Sequence, residues 1–414
     1  PKRRDSMLVR GQWKTGAFFI VLAASIQSSS AFTAHFQGVR AGRSPFPAFT
    51  RHQLASQPGF RPARNSEPFN LELDWNDPRA GNGRGSTHPR HVCASRMAER
   101  SLEGKVALVT GGSSGMGFAT VAGLLKRRAH VVATCRDEES CRKTAAEIAA
   151  TCGAVEVPAG DSSPQTFSVM PLDLASLDSV RRFAERFTAL YPQLDTLVAN
   201  AGVMGGPFKQ TEDGYETNFQ VNYLGHFLLV NLLDGTLGSS SSSSSEAGRV
   251  IMISSLSSEK ASLAADAGVE QAARRREEDF DGMTAYRQSK LAQVLLAREL
   301  AERRGDVVSC SVHPGVVDTN LFYRAVPPPL KPLMKGLSRL LIWLGKVKTS
   351  QQGAETALYL ASQPAEALRA GQGQYWAECE LRAPNPEIDD AALRKKLWEQ
   401  SEALAGLGEG RASE

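Results

Sequence analysis

Cysteine is scarce in this chain. Its 414 residues hold six, Cys93, Cys135, Cys141, Cys152, Cys310 and Cys379, with no CxxC pair and no metal-ligand spacing to a histidine. A disulfide framework and a structural zinc site are therefore not expected. Long apolar runs are missing as well: none reaches the roughly 18 residues that a membrane-spanning helix requires. An excess of basic charge is missing beyond residue 97. Residues 1–97 hold 14 of the 48 Lys and Arg but only 5 of the 44 Asp and Glu, so residues 98–414 are net acidic although the whole chain carries +4. The positive balance belongs to the leader and gives no footing for nucleic-acid binding by the remainder. With 42% hydrophobic and 22% charged residues, the composition is otherwise that of an ordinary globular protein.

Acidic residues are absent between Ser6 and Ser66. From Met7 the order is basic (Arg10, Lys14), then apolar from Ala17 to Ile26. Small residues at Ser29 and Ala31 then mark a cleavage point before Phe32. Residues 1–31 thus read as a signal peptide with a short upstream extension. Arg40, Arg43, Arg51, Arg61 and Arg64 punctuate the Ser/Pro-rich stretch behind it, and Gly81, Gly83 and Gly85 follow. Residues 32–97 read as a transit-peptide-like segment and linker, disordered as a leader. This tandem resembles the two-part presequences of algae with complex plastids, which implies a plastid destination; a secreted or endomembrane protein is the alternative.

From residue 98 the texture changes. Short β-branched runs (Val106–Thr110, His130–Thr134, Thr196–Ala199, Arg249–Ile253, Val307–Val312) alternate with amphipathic stretches at 117–128, 139–150, 176–190, 215–233 and 284–303. Continuous apolar strands alternating with helices predict an α/β domain over 98–405: a doubly wound parallel sheet with helices on both faces, followed by a tail at 406–414. The serine run 239–245 and the charged stretch 260–282 fall between elements and are expected at the surface.

Between the first strand and the first helix stands Thr110-Gly-Gly-Ser-Ser-Gly-Met-Gly117. Gly111 suits a tight turn, Gly115 lets backbone approach a pyrophosphate, and Gly117 lets helix pack on strand. Further along come Asp173-Leu174, Asn200-Ala201-Gly202, Asn222, Ser255, Tyr286-Arg-Gln-Ser-Lys290 and Pro314-Gly315. In this order the motifs resemble the short-chain dehydrogenase/reductase family, over residues 102 to about 405. Asn222-Tyr-Leu-Gly-His-Phe227, Ser311-Val-His-Pro-Gly315 and Leu397-Trp-Glu-Gln-Ser401 look most like its retinol-dehydrogenase-like reductases.

The resemblance implies a Rossmann-type single domain and a nicotinamide dinucleotide held by Gly111, Ser113, Ser114, Gly115, Met116, Gly117, Arg136, Asp173, Leu174, Asn200, Ala201, Gly202, Tyr286, Lys290, Pro314, Gly315, Val316 and Thr319. It implies Tyr286 as general acid/base, Ser255 orienting the substrate oxygen, and Lys290 on the ribose. Asn222 would hold a proton-relay water. The residues themselves bear on this chemistry. Tyr286 and Lys290, four apart, share one helical face. A free phenol titrates near 10, and a neighbouring ammonium is expected to draw that down. Ser254 stands as the rival for the serine role.

Cofactor choice turns on the end of the second strand, Thr134-Cys135-Arg136-Asp137. Arg136 just beyond the strand would pair with a 2′-phosphate and select NADP(H). Were the strand one residue longer, Asp137 would face the ribose and select NAD(H). The retinol-dehydrogenase-like resemblance favours NADP(H); an ion pair of Arg136 with Glu138 or Glu139 is the bland alternative.

Beyond the Pro-Gly turn, Leu330, Leu333, Met334, Leu337, Leu340, Leu341 and Leu344 recur at helical spacing beside Lys331, Lys335 and Arg339. That pattern suits a lid over a lipophilic substrate, and also peripheral membrane contact through 330–346. The expected partner is a lipophilic small molecule with a carbonyl or alcohol at its reactive end, with no metal and no nucleic acid; homodimer assembly is left open. Two readings compete: a translocon-associated NADP(H)-binding redox sensor of the plastid, and a pigment enzyme similar to protochlorophyllide reductases.

Overall fold

The computed structural model describes residues 93, 100–238, 247–264, 268–318, 337–338, 341–342, 344 and 347–407. The chain divides into two units, 1–87 and 88–414, and all described residues belong to the second. The signal and transit readings, the serine run, Thr319 and most of the 330–346 segment lie outside the described residues.

Strand β1 (Val106–Val109) is buried at every position, as are β2 (His130–Cys135), β5 (Thr196–Ala199), β6 (Gly248–Ile253) and β7 (Val307–Val312). Strands without a polar face must be covered on both sides. With β3 (Val155–Glu156), β4 (Thr166–Pro171), β8 (Tyr375–Ala377) and β9 (Glu380–Arg382) they form a nine-stranded sheet in the order β3-β4-β2-β1-β5-β6-β7-β8-β9, parallel except for the last pair. Helices α1 (Gly115–Lys126) and α2 (Glu138–Cys152) cover one face. On the other lie α3 (Leu177–Leu190), α4 (Thr217–Phe219), a π-helical turn (Gln220–Leu224) and α5 (Gly225–Leu232). Two hydrophobic clusters separated by the sheet form the core. The chain winds outward from β1 and then returns to β5 on its other side, so the order reverses between them. In doubly wound sheets ligands bind at that reversal, at the carboxyl ends of the strands.

Several features depart from the sequence-based expectations. The stretch 260–282 is not simply a surface insertion. It contains α6 (Val269–Ala273), whose Val269, Ala272 and Ala273 are buried, and Ala273 O accepts from Glu216 N at 2.7 Å. The charged part, Glu277–Asp279, has no buried residue. It precedes the 22-residue α7 (Gly282–Arg303). After β7 come α8 (Ser350–Ser362), α9 (Ala365–Leu368), the hairpin β8 (Tyr375–Ala377) and β9 (Glu380–Arg382), and α10 (Ala391–Leu404).

The expectation against disulfides is also corrected. Cys93 and Cys379 are bonded across a sequence separation of 286, with Cα atoms 5.4 Å apart. No local spacing can signal such a pair, because folding alone brings the hairpin turn to Cys93. Among the described residues no group of His, Cys, Asp and Glu could hold a metal, and no helix is long and apolar enough to cross a membrane.

Three buried histidines make the fold sensitive to acid. Burial pushes the pKa of His130 and of His226 down to about 4, and that of His313 down to about 3. All three are neutral in the folded state, whereas in the unfolded chain they take up a proton near pH 6.5. Their contribution is present above pH 6.5 and is lost as pH falls toward 4, the unfolded state then binding more protons. By pH 5 each is expected to have given up about 2 kcal/mol. Denaturant melts at pH 7.5 and pH 5 should show that drop, reduced in a His130→Gln variant.

Candidate active site

The glycine turn follows directly from β1. Gly111 and Gly115 adopt φ of +66° and +56°, a region that side chains avoid. Gly117 is required by space: a Cβ there would sit 2.1 Å from Gly111 O and 2.5 Å from Asn200 Nδ2. The turn that follows β5 clasps this one. Asn200 Nδ2 donates to Thr110 O at 2.8 Å, while Asn200 N and Ala201 N donate to Thr110 Oγ1 at 2.9 and 3.0 Å. At the start of α1, Ser114 is the N-cap but makes no side-chain capping bond, and the first turn carries no acidic residue. The N–H groups of that turn and the helix dipole therefore favour an anion. These bare-backbone positions and the uncapped amino terminus fit a dinucleotide pyrophosphate.

Strand β2 ends at Cys135, so Arg136 is the first residue beyond it, with its side chain 75% exposed. Asp137 is already committed. It N-caps α2, its carboxylate accepting from Ser140 N at 2.8 Å, and that bond holds its pKa below the usual carboxylate range. Arg136 lies 3.5 Å from this carboxylate, not on Glu138 or Glu139. Asp173 follows β4 (Thr166–Pro171), and its Oδ1 accepts from Ala175 N at 2.9 Å. Leu174 is buried against α5, so close that a Cβ on Gly225 would lie 2.9 Å from its carbonyl.

On α7, Tyr286 and Lys290 are both buried, with Lys290 reaching the carboxyl end of β6 at Ile253 O. Burial pushes the Tyr286 phenol above its ordinary value, and a hydrogen bond with Ser255 pulls it back. The expected lowering by the ammonium is not seen: burial raises the phenol, and what offsets it comes from Ser255 rather than Lys290. Lys290 Nζ lies 5.9 Å from the Tyr286 ring. It donates to Ile253 O at 2.8 Å and Gln293 Oε1 at 2.9 Å, and burial pushes its pKa down to about 7. Gly202 packs close to the same ammonium: a Cβ there would come within 3.1 Å of Asn222 Oδ1 and 3.5 Å of Lys290 Nζ.

The two serines separate by role. Ser254 is buried and its hydroxyl donates to Lys290 O at 2.7 Å, which fixes α7 to β6. Ser255 is half-buried, stands beside Tyr286 and caps the short Leu256–Lys260 helix. Asn222 sits in the π-helical turn. Its Oδ1 accepts from Val203 N at 2.7 Å, and its Nδ2 donates to Val203 O and Ser289 Oγ at 2.9 and 2.8 Å. Its carbonyl accepts from His226 Nδ1 at 2.9 Å, and His226 Nε2 meets Thr110 Oγ1 at 2.9 Å. Past β7, Gly315 has φ +92° and Val316 O accepts from Lys348 N at 2.7 Å. Sequence reasoning passed over Gln293 and gave Ser289, one residue before Lys290, no role of its own; His226, one helical turn after Asn222, reads from its core-like sequence as structural.

A parallel sheet with its order reversing above a glycine turn, and a buried Tyr/Lys pair at the same edge, define a dinucleotide-dependent oxidoreductase. The comparisons agree. The short chain dehydrogenase family model matches residues 105–267. Human retinol dehydrogenase 14 is 39% identical over 314 residues, 74% of this chain and 88% of that protein. Bovine dehydrogenase/reductase SDR family member 13 is 37% identical, with 76% of each chain covered. Among solved structures, an uncharacterised protein from Mycobacterium paratuberculosis superposes with a TM-score of 0.54 at 26% identity, covering 74% of this chain and 95% of that one. The Pseudomonas aeruginosa RhlG/NADP active-site complex does so with 0.51 at 27%, covering 68% and 97%. The chain belongs to the short-chain dehydrogenase/reductase family, with retinol-dehydrogenase-like relatives.

Proposed function

We propose that the domain interconverts a carbonyl and an alcohol on a lipophilic small molecule, with NADP(H) as cofactor. The observation that carries it is the buried Tyr286 phenol, beside Ser255 and one helical turn from Lys290, whose Nζ approaches Gly202. The main chain of Gly111, Ser113, Ser114, Gly115, Met116 and Gly117 would hold the pyrophosphate. Asp173 and Leu174 would border the adenine, Asn200 to Gly202 the floor, Lys290 the ribose, and Pro314 to Val316 the nicotinamide. The bound nicotinamide supplies or takes up the hydride. In reduction Tyr286 donates its hydroxyl proton to the carbonyl oxygen, while Ser255 donates a hydrogen bond to that same oxygen as charge gathers on it. Lys290, on the same helical face, stabilises in its charged form the phenolate left behind. Asn222 ties the loop at Val203 to α7 through Ser289, and so keeps the two in register.

Three observations support NADP(H). The first position after β2 belongs to an exposed arginine, the following carboxylate caps a helix, and a structural relative is an NADP complex. Arg136→Ala is expected to raise the KM for NADPH about 10- to 100-fold, the worth of a charge-assisted pair, and to leave NADH untouched. Steady-state rates with both cofactors check this. The broader reading is tested by incubating the full chain with NADPH and a panel of retinoid, alkyl and pigment-derived aldehydes. Turnover confined to small polar carbonyls would contradict the lipophilic assignment. The leader supports delivery to a complex plastid, which a fluorescent fusion of residues 1–97 would test in such an alga.

A further inference from the structure

His313 follows β7, immediately before the Pro314–Gly315 turn, and is 7% exposed. Two backbone donors converge on one of its ring nitrogens: Leu256 N lies 3.0 Å from Nδ1 and Gly315 N lies 3.3 Å from it. A nitrogen that accepts from N–H groups carries a lone pair, so the ring proton resides on Nε2. Burial, with the charges of Arg382 and Lys348 nearby, holds the ring neutral and its acceptor intact.

These donors belong to different walls of the site. Leu256 N is the far end of the peptide unit whose carbonyl is Ser255 O, and Gly315 N belongs to the nicotinamide turn. The carbonyl end of that peptide is fixed too, by the Tyr375 hydroxyl at 3.1 Å and by Ser258 N and Oγ at 3.0 and 2.7 Å. Tyr375 is fully buried, and its ring lies parallel to the imidazole, 6.4 Å between centroids and 11° between planes. The main chain of His313 is anchored in turn by its N–H on Trp376 O at 2.8 Å. One imidazole nitrogen thus links the serine loop to the Pro-Gly turn, and the terminal hairpin holds that imidazole.

We propose that His313 is a positioning residue: by accepting from Leu256 N and Gly315 N at once, it sets Ser255 and the Pro314–Gly315 turn at a fixed distance from each other. This rests on the proposed reading for its effect on turnover, though not for its effect on cofactor binding. Asparagine can place an amide oxygen near the site of Nδ1. Glutamine reaches instead toward Nε2, and leucine offers no acceptor.

The test compares His313→Asn, His313→Gln and His313→Leu with the wild-type chain in three measurements: NADPH affinity by fluorescence enhancement, thermal midpoint, and kcat with KM for an aldehyde. His313→Gln and His313→Leu are expected to weaken NADPH binding about 10-fold and to lower kcat about 10- to 100-fold with the aldehyde KM nearly unchanged, since two buried N–H groups lose their acceptor. His313→Asn is expected to recover most of both. Should leucine prevent folding, the asparagine and glutamine variants carry the comparison. Equal NADPH affinity in the glutamine, asparagine and wild-type proteins would overturn the proposal, as would kcat values in the variants that merely follow the thermal midpoint. A wild-type chain that turns over no carbonyl would sink the enzymatic reading alone, and the ranking of NADPH affinities would still decide the role of His313.

Discussion

Replacing Tyr286 by phenylalanine is expected to lower kcat by about 10²–10⁴-fold while NADPH still binds. The ring is buried at 6% exposure, so phenylalanine keeps the packing and only the hydroxyl is lost. The other partners stay in place, since Lys290 is held by Ile253 O and Gln293 and Ser254 by Lys290 O, none through the phenol. Stopped-flow reduction of an aldehyde, with NADPH binding followed separately, checks both halves. A variant that lost binding and turnover together would point to a packing role for Tyr286. Ser255→Ala should give a smaller loss, because the hydroxyl shares the oxygen without moving the proton.

The second large effect lies at the glycine turn. Gly117→Ala forces a Cβ to within 2.1 Å of Gly111 O, a backbone atom of a turn already clasped by Asn200. Relief requires the turn or α1 to shift, which is expected to destabilise the domain by about 3 kcal/mol and to lower Tm by roughly 5–10 °C. NADPH affinity should fall more than about 10-fold, because displaced main-chain N–H groups no longer converge on the pyrophosphate. Gly123→Ala is the control on the same helix. Its Cβ would meet Leu358 Cδ1 at 2.4 Å, the far end of a side chain that can rotate, so stability should drop with little change in cofactor affinity. Calorimetry and fluorescence titration on both variants separate a shifted turn from a generally loosened fold.

Much of the sheet was legible because its central strands are uninterrupted β-branched runs. β4 was harder: Thr166–Pro171 carries a serine and ends on proline, and Gln165 before it turns with φ +58°. The hairpin β8–β9 has three-residue strands joined through Glu378 and Cys379, both at positive φ without a glycine or asparagine to announce the turn. Its partner Cys93 lay in a stretch read as linker, so the disulfide was invisible from either end. The helix α6 was hidden by the charges of Arg274 to Asp279 that follow it, although Val269, Ala272 and Ala273 are apolar. At the site, the Tyr286/Lys290 spacing and the glycine turn could be read because their chemistry depends on local geometry. The work of His313 and Tyr375 could not, since they reach the Ser255 loop across 57 and 120 residues of chain.

The central claim is that this domain moves a hydride between a nicotinamide and a carbonyl carbon with Tyr286 handling the proton. Its most direct test is to supply the full chain with NADPH deuterated at the nicotinamide C4 and an apolar aldehyde, and to weigh the alcohol formed. The account predicts deuterium at the carbinol carbon with the wild-type chain, and almost none in the same interval with Tyr286→Phe. A wild-type chain that binds NADPH yet leaves every carbonyl of the panel unlabelled would contradict it.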